Sequence, residues 1–154
     1  MTIVASPELV EWWTTPAGED LINAVSALSW TPADSLSSTA QLRRHYPDLT
    51  PEILNGTIDL VQARQRAVEK LGPASAHWFL TLAAVQQATP YAVTHYRSRR
   101  LLSSDSTIAQ PIHDATCSVG TEVAALVQAG STGELSGSDI DQARLACLLY
   151  TSDA

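Results

Sequence analysis

The sequence predicts an all-helical N-terminal domain over residues 1–105. The first βαβ unit of a parallel α/β domain follows over residues 106–148. Three observations carry this. Helical patterning punctuated by Thr-Pro fills the first two thirds of the chain and stops at Ser103-Ser104-Asp105-Ser106, read as a linker. The stretch from Pro111 to Arg144 then reads as strand, tight turn, helix, loop, strand, acid, helix. Within it, Gly120 opens a helix and Asp139 lies nineteen residues later at the end of the next strand.

The helices follow in order. Ser6-Pro7, Thr15-Pro16, Thr31-Pro32, Thr50-Pro51 and Thr89-Pro90 each set an N-cap type before a proline. Proline suits the first helical position because its missing N–H has no partner there anyway. The expected helices are Pro7 to Trp13, Pro16 to Leu28, Ala33 to His45, Pro51 to Leu71, Leu82 to Ala88 and Pro90 to Leu102. The fourth carries an apolar stripe of Leu54, Ile58, Val61, Val68 and Leu71, with Gly72 just past its end. Ala76 to Leu80 reads as either helix or extended chain. Trp12, Trp13, Trp30, Trp78 and Phe79 are expected in the core.

In the second part, Ile112 enters a short strand ending at Asp114, and a small-residue turn, Ala115 to Gly120, leads into a helix from Thr121. Val123, Leu126 and Val127 are spaced for one buried face, and Leu135 to Ser138 gives the second strand. Ligands of such units sit outside the carboxyl ends of the strands. The turn admits close backbone approach, and a helix N-terminus offers unpaired N–H groups. An acid about 20 residues on meets ribose hydroxyls. The same strand–turn–helix–strand pattern also occurs in α/β proteins that bind nothing there.

Composition bounds the function. Hydrophobic residues at 45% and charged residues at 16% describe a globular chain rather than a disordered one. No apolar run is long enough to span a membrane, and the N-terminus lacks a signal-peptide pattern. Two distant cysteines, Cys117 and Cys147, read as reduced thiols, so a cytoplasmic location is expected. No Cys/His spacing marks a metal site and no Ser/His/Asp set can be assigned. The net charge of −7 is uneven: residues 1–40 carry −5, residues 41–100 carry +4, and the remainder −6. The basic middle is either a nucleic-acid face or the ordinary charge of solvated helices. Tyr91, His95, Tyr96, Arg99 and Arg100 share one helix, the best local contact surface.

A dinucleotide fingerprint needs G-x-G-x-x-G, whereas this turn offers Ser118-x-Gly120-x-x-Val123. The pattern instead resembles motif I of Rossmann-like class I S-adenosylmethionine (SAM)-dependent methyltransferases, on which Asp114, Thr116, Ser118 and Gly120 fall. Thr116 and Ser118 stand where that motif has glycine. The order of Gln62-Ala63-Arg64, Lys70-Leu71-Gly72, Val85-Gln86-Gln87-Ala88-Thr89 and Asp114 to Glu122 widens the likeness. Over about residues 8–148 the chain resembles actinobacterial methyltransferases that carry a C-terminal THUMP-like domain.

The resemblance implies SAM as cofactor, held by Asp114, Thr116, Cys117, Ser118, Gly120, Asp139 and Ile140. It also implies RNA as substrate, with Arg97, Arg99 and Arg100 as weak contacts. Neither the acceptor-side loop of such enzymes nor a THUMP-like domain occurs here, so the chain is expected to be an N-terminal fragment, inactive alone, with its catalytic residues elsewhere. Residues 149–154 are expected to be a non-native tail. The alternative is a helical RNA- or protein-binding module with a non-catalytic α/β tail.

Overall fold

A computed structural model describes residues 5–103 and 108–152. Its helices are α1 Pro7–Trp13, α2 Pro16–Ser26, α3 Ser35–His45, α4 Pro51–Leu71, α5 Leu82–Gln87 and α6 Tyr91–Leu101. A 3₁₀ turn, Pro73–His77, follows α4. Strand β1 Ile112–Asp114, α7 Thr121–Gln128, β2 Leu135–Gly137 and α8 Gln142–Ser152 complete the order. Apart from Ser103, the expected linker lies outside the described residues.

The caps explain most helix starts. The hydroxyls of Ser6, Thr15 and Thr50 accept hydrogen bonds from the N–H groups of Leu9, Gly18 and Ile53, each with proline next in line. Two expected caps differ. Thr31 closes a turn ending at Asp34, so α3 begins at Ser35 rather than near Ala33. Thr89 caps nothing, because Pro90 itself takes the cap position and its carbonyl accepts from Val93 and Thr94. Thr81, whose hydroxyl accepts from Ala84 N–H, is a cap that no Thr-Pro pair announces.

Helix α4 is the axle of the molecule. Its inner face buries Leu54, Ile58, Leu60, Val61, Ala63, Ala67 and Leu71. Val68, expected on that face, is 40% exposed at the rim of a cleft beneath Ala76 and His77. Gly56 lets α1 approach: a Cβ there would press on the Leu9 side chain. Trp13 stacks on Phe79 and donates its indole N–H to Thr57 Oγ1 at 2.9 Å. The outer face of α4 holds the following segment through charged side chains. Arg64 donates to the carbonyls of Trp78 and His77 and lies over the Phe79 ring. Lys70 Nζ donates to the carbonyls of Val85 and Gln86, and Asp59 accepts the Leu82 N–H that starts α5. These tethers resolve the ambiguous stretch: it is a 3₁₀ turn to His77, extended at Trp78.

Strands β1 and β2 pair in parallel, with Ile112 opposite Leu135 and Asp114 opposite Gly137, and α7 connects them. Within α7, Leu126 is buried but Val127, expected beside it, is 61% exposed, while Ala125 takes the inner position. Helix α7 packs on α6, and α8 packs on α1. One core therefore includes Val10, Trp13 and Leu60 together with Val119, Ala143 and Cys147. Among the described residues no helix is long and apolar enough to cross a membrane.

Candidate cofactor site

Asp114 and Asp139 stand at the carboxyl ends of two adjacent parallel strands, Asp114 as the last residue of β1 and Asp139 two residues past β2. Parallel pairing dictates this, since it brings both carboxyl ends to one edge. Between them runs the turn into α7. Asp114 Oδ1 accepts the Thr116 N–H at 3.0 Å, which folds the chain back at once. The Cys117 N–H donates to Ser138 carbonyl oxygen at 3.0 Å, and the Gly120 N–H to Cys117 carbonyl oxygen at 2.7 Å.

Two residues of the turn take positive φ: Ser118 at 48° and Gly120 at 81°. Glycine is favoured at 120 by its positive φ, and a Cβ there would also push the tip of the Leu148 side chain from α8 aside. Serine at 118 carries a left-handed penalty of about 1–2 kcal/mol. What holds it there is Asp139, whose Oδ2 accepts the Ser118 N–H at 3.0 Å. Asp139 Oδ1 accepts the Asp141 N–H at 2.9 Å, so one carboxylate ties the turn to the loop after β2. Asp141 in turn caps α8, its Oδ1 accepting from Ala143 and Arg144 N–H groups.

Of the residues singled out in the sequence, Asp114, Cys117, Ser118, Gly120 and Asp139 converge. Thr116 is exposed and joins through its backbone. Ile140 is fully exposed and joins nothing. Cys117 is 2% exposed, and a Cβ on Gly137 would press against its sulfur, so β2 needs glycine where the turn crosses it. Burial, then the Asp114 and Asp139 carboxylates, push the Cys117 thiol up. Burial and Asp141 push Cys147 up to about 12. Neither thiol is poised as a nucleophile.

Two buried polar atoms at the turn have no partner: Asp114 Oδ2 and Ser118 Oγ. A buried carboxylate oxygen and a hydroxyl left unpaired are costly unless something else completes them. Helix α7 begins here with no side-chain cap. Asp139 has used one lone pair on each oxygen and keeps acceptor capacity on both. The edge can thus accept hydrogen bonds from hydroxyl or amino groups and donate backbone N–H groups. Among the described residues no cluster of three His, Cys, Asp or Glu side chains could hold a metal.

Arg97, Arg99 and Arg100 do not act as one set. Arg97 pairs with Glu122 on α7 at 2.9 Å, while Arg99 and Arg100 are exposed on α6. With Arg64 and Lys70 also tied to backbone carbonyls, the positive middle segment is in part internal scaffolding. That reading was missed because the partners are carbonyls, which leave no mark in sequence.

The chain is similar to proteins named as methyltransferases. It is 38% identical over 110 residues to the uncharacterized S-adenosylmethionine-dependent methyltransferase of Mycobacterium tuberculosis, in strain CDC 1551 / Oshkosh and equally in strain ATCC 25618 / H37Rv. The match covers 68% of this chain and 27% of each relative, so the chain spans about a quarter of the length of the curated relatives it matches. Residues 6–67, α1 through most of α4, match a family described as Domain of unknown function (DUF8688). No solved structure matches.

Proposed function

We propose that this chain is the N-terminal part of a SAM-dependent methyltransferase, contributing its helical domain and the first half of a Rossmann-like cofactor site. The observation that carries the reading is Asp114 and Asp139 at adjacent carboxyl ends of a parallel pair, joined by a turn with positive φ at Ser118 and Gly120. The names of the two relatives support the cofactor. SAM supplies an electrophilic methyl group on a sulfonium sulfur. Asp139 would accept the ribose hydroxyls with its remaining lone pairs. Asp114 Oδ2 and Ser118 Oγ, unpartnered now, would take the amino acid end or its ordered water. Ile140 would lie beside the adenine, which is consistent with its full exposure.

The open face of the strand pair supports a larger sheet. Parallel sheets are covered on both faces, yet His113 and Ser136 are exposed here, held to each other at 2.9 Å. Two strands alone are below the size of a stable sheet. We place the methyl acceptor, the catalytic residues and a THUMP-like domain in the longer protein, with the α/β domain starting near residue 106; residues 149–152, expected as a non-native tail, continue α8. RNA as acceptor would use Arg99 and Arg100. In the full-length protein, Arg99→Glu with Arg100→Glu should weaken RNA binding and flatten its salt dependence by about two charges' worth of slope. Binding that is unchanged across the salt titration returns both arginines to a solvated face. For the cofactor, titration calorimetry of S-adenosylhomocysteine into the full-length protein and its Asp139→Ala variant should show a loss of roughly ten- to a hundredfold. Equal affinity sinks the assignment of Asp139.

A further inference from the structure

We propose that the cleft between α3 and α4 binds a nucleobase that carries an exocyclic amino group. The cleft is an open groove of about 380 Å³, a size within the ~300–1,000 Å³ of ligand sites. One wall is α4, which presents Asn55, Asp59 and Gln62. These positions are spaced i, i+4 and i+7, so their side chains fall on one helix face. All three are half-buried. At the rim lies Trp30, its indole N–H donated to the Val25 carbonyl at 2.9 Å and its ring packed against the core. The facing wall is α3, with Thr39 lining the cleft. Helix α3 buries only Ser38 and Leu42 and its start has no side-chain cap, so this wall is lightly held.

The donor and acceptor set selects the ligand. Asp59 Oδ2 accepts the Leu82 N–H, leaving Oδ1 to accept from a ligand. Asn55 and Gln62 each offer a donor and an acceptor. No Lys or Arg lines the cleft, so a phosphate is not what it takes. A carboxylate accepts from an exocyclic amine, an amide reads an amine and ring nitrogen together, and a fixed indole stacks on the ring. Adenine, cytosine and guanine offer an exocyclic amine to Asp59 Oδ1; uracil offers only its ring N–H, a poorer match to the set. The inference stands apart from the cofactor reading, because all its residues lie between positions 30 and 62.

The base could arrive as a free nucleoside or as an unpaired base of a single-stranded nucleic acid. Cytidine is the decisive probe, because adenosine also suits the cofactor turn. Cytidine, uridine and short oligo-C and oligo-U strands are titrated into the full chain, with saturation-transfer NMR and tryptophan fluorescence as readouts. Cytidine should bind at least about fivefold tighter than uridine. Trp30→Leu should weaken cytidine binding by roughly five- to a hundredfold. Asn55→Ala and Gln62→Ala, which leave the core untouched, should each weaken it with unchanged melting temperature. Oligo-C binding well above cytidine identifies a nucleic acid as the source, and equal binding identifies a nucleoside. Equal affinity for uridine, indifference to both Asn55→Ala and Gln62→Ala, or no binding up to the solubility limit overturns the proposal.

Discussion

Asp139 holds two backbone N–H groups at once, and this changes what its removal should do. In the sequence Asp139 reads as a ligand carboxylate. In the structure Asp141 caps α8, and Asp139 is also structural. Asp139→Ala should therefore destabilise the chain by about 1–3 kcal/mol, discounting partly exposed bonds to a charged group. Asp141→Ala should lose about 1 kcal/mol. Urea unfolding of the two variants compares them directly; a neutral Asp139→Ala would mean that the turn holds without it. The turn itself offers a contrast. Ser118→Gly removes a left-handed Cβ and should be neutral or stabilising by up to about 1 kcal/mol. Gly120→Ala should destabilise by about 1–2 kcal/mol, because a Cβ is strained at its positive φ and the tip of Leu148 must shift aside. The Gly120 preference was legible from spacing. The Ser118–Asp139 bond was not, since it spans 21 positions and exists only once the strands are paired.

At the scale of elements, α4 shows why charge patterns mislead. Apart from Val68, its stripe and both its ends were readable from Thr50-Pro51, apolar spacing and Gly72. Its polar face was read as solvated or nucleic-acid-binding, yet Asp59, Arg64 and Lys70 each hold backbone of residues 77–86. Arg64→Ala should destabilise by about 2–4 kcal/mol, through two charge-assisted hydrogen bonds and its contact with Phe79. Arg99→Ala on α6 should stay within about 0.5 kcal/mol. Chemical unfolding of both decides whether the middle-segment cations are scaffold or surface. Asp59 adds a pH signature. Burial, opposed by the Leu82 N–H and then by Arg66, raises its folded pKa above the unfolded value. Its contribution is thus present at pH below the unfolded carboxylate range and lost as pH rises through the folded pKa. Asp59→Asn, which keeps an acceptor for Leu82, should raise the melting temperature at pH 7. That gain should shrink toward pH 4 and below; a gain independent of pH would assign it to something other than the buried charge.

At the scale of the whole molecule, the α/β piece shares one core with the helices. The sequence marks where helical patterning ends and strands begin, and the order and parallel pairing follow. It does not mark that Val119, Ala143 and Cys147 pack into the same core as Trp13 and Leu60, because no periodicity within one element reports its distant neighbour. Tryptophan fluorescence, which reports the helical part through Trp12, Trp13, Trp30 and Trp78, and amide exchange in β1 and β2 should therefore report one transition. Separate transitions would make the two parts independent. This packing also presents the turn from Asp114 to Gly120 against a fixed background, as a cofactor site needs. The most direct test of that site is amide chemical-shift mapping of the chain titrated with S-adenosylhomocysteine. The account predicts shifts at residues 115–121 and 138–141 that saturate with the ligand, whether or not the adenine also reaches the cleft of α3 and α4. Shifts confined to the helical region, or none at millimolar ligand, would contradict it.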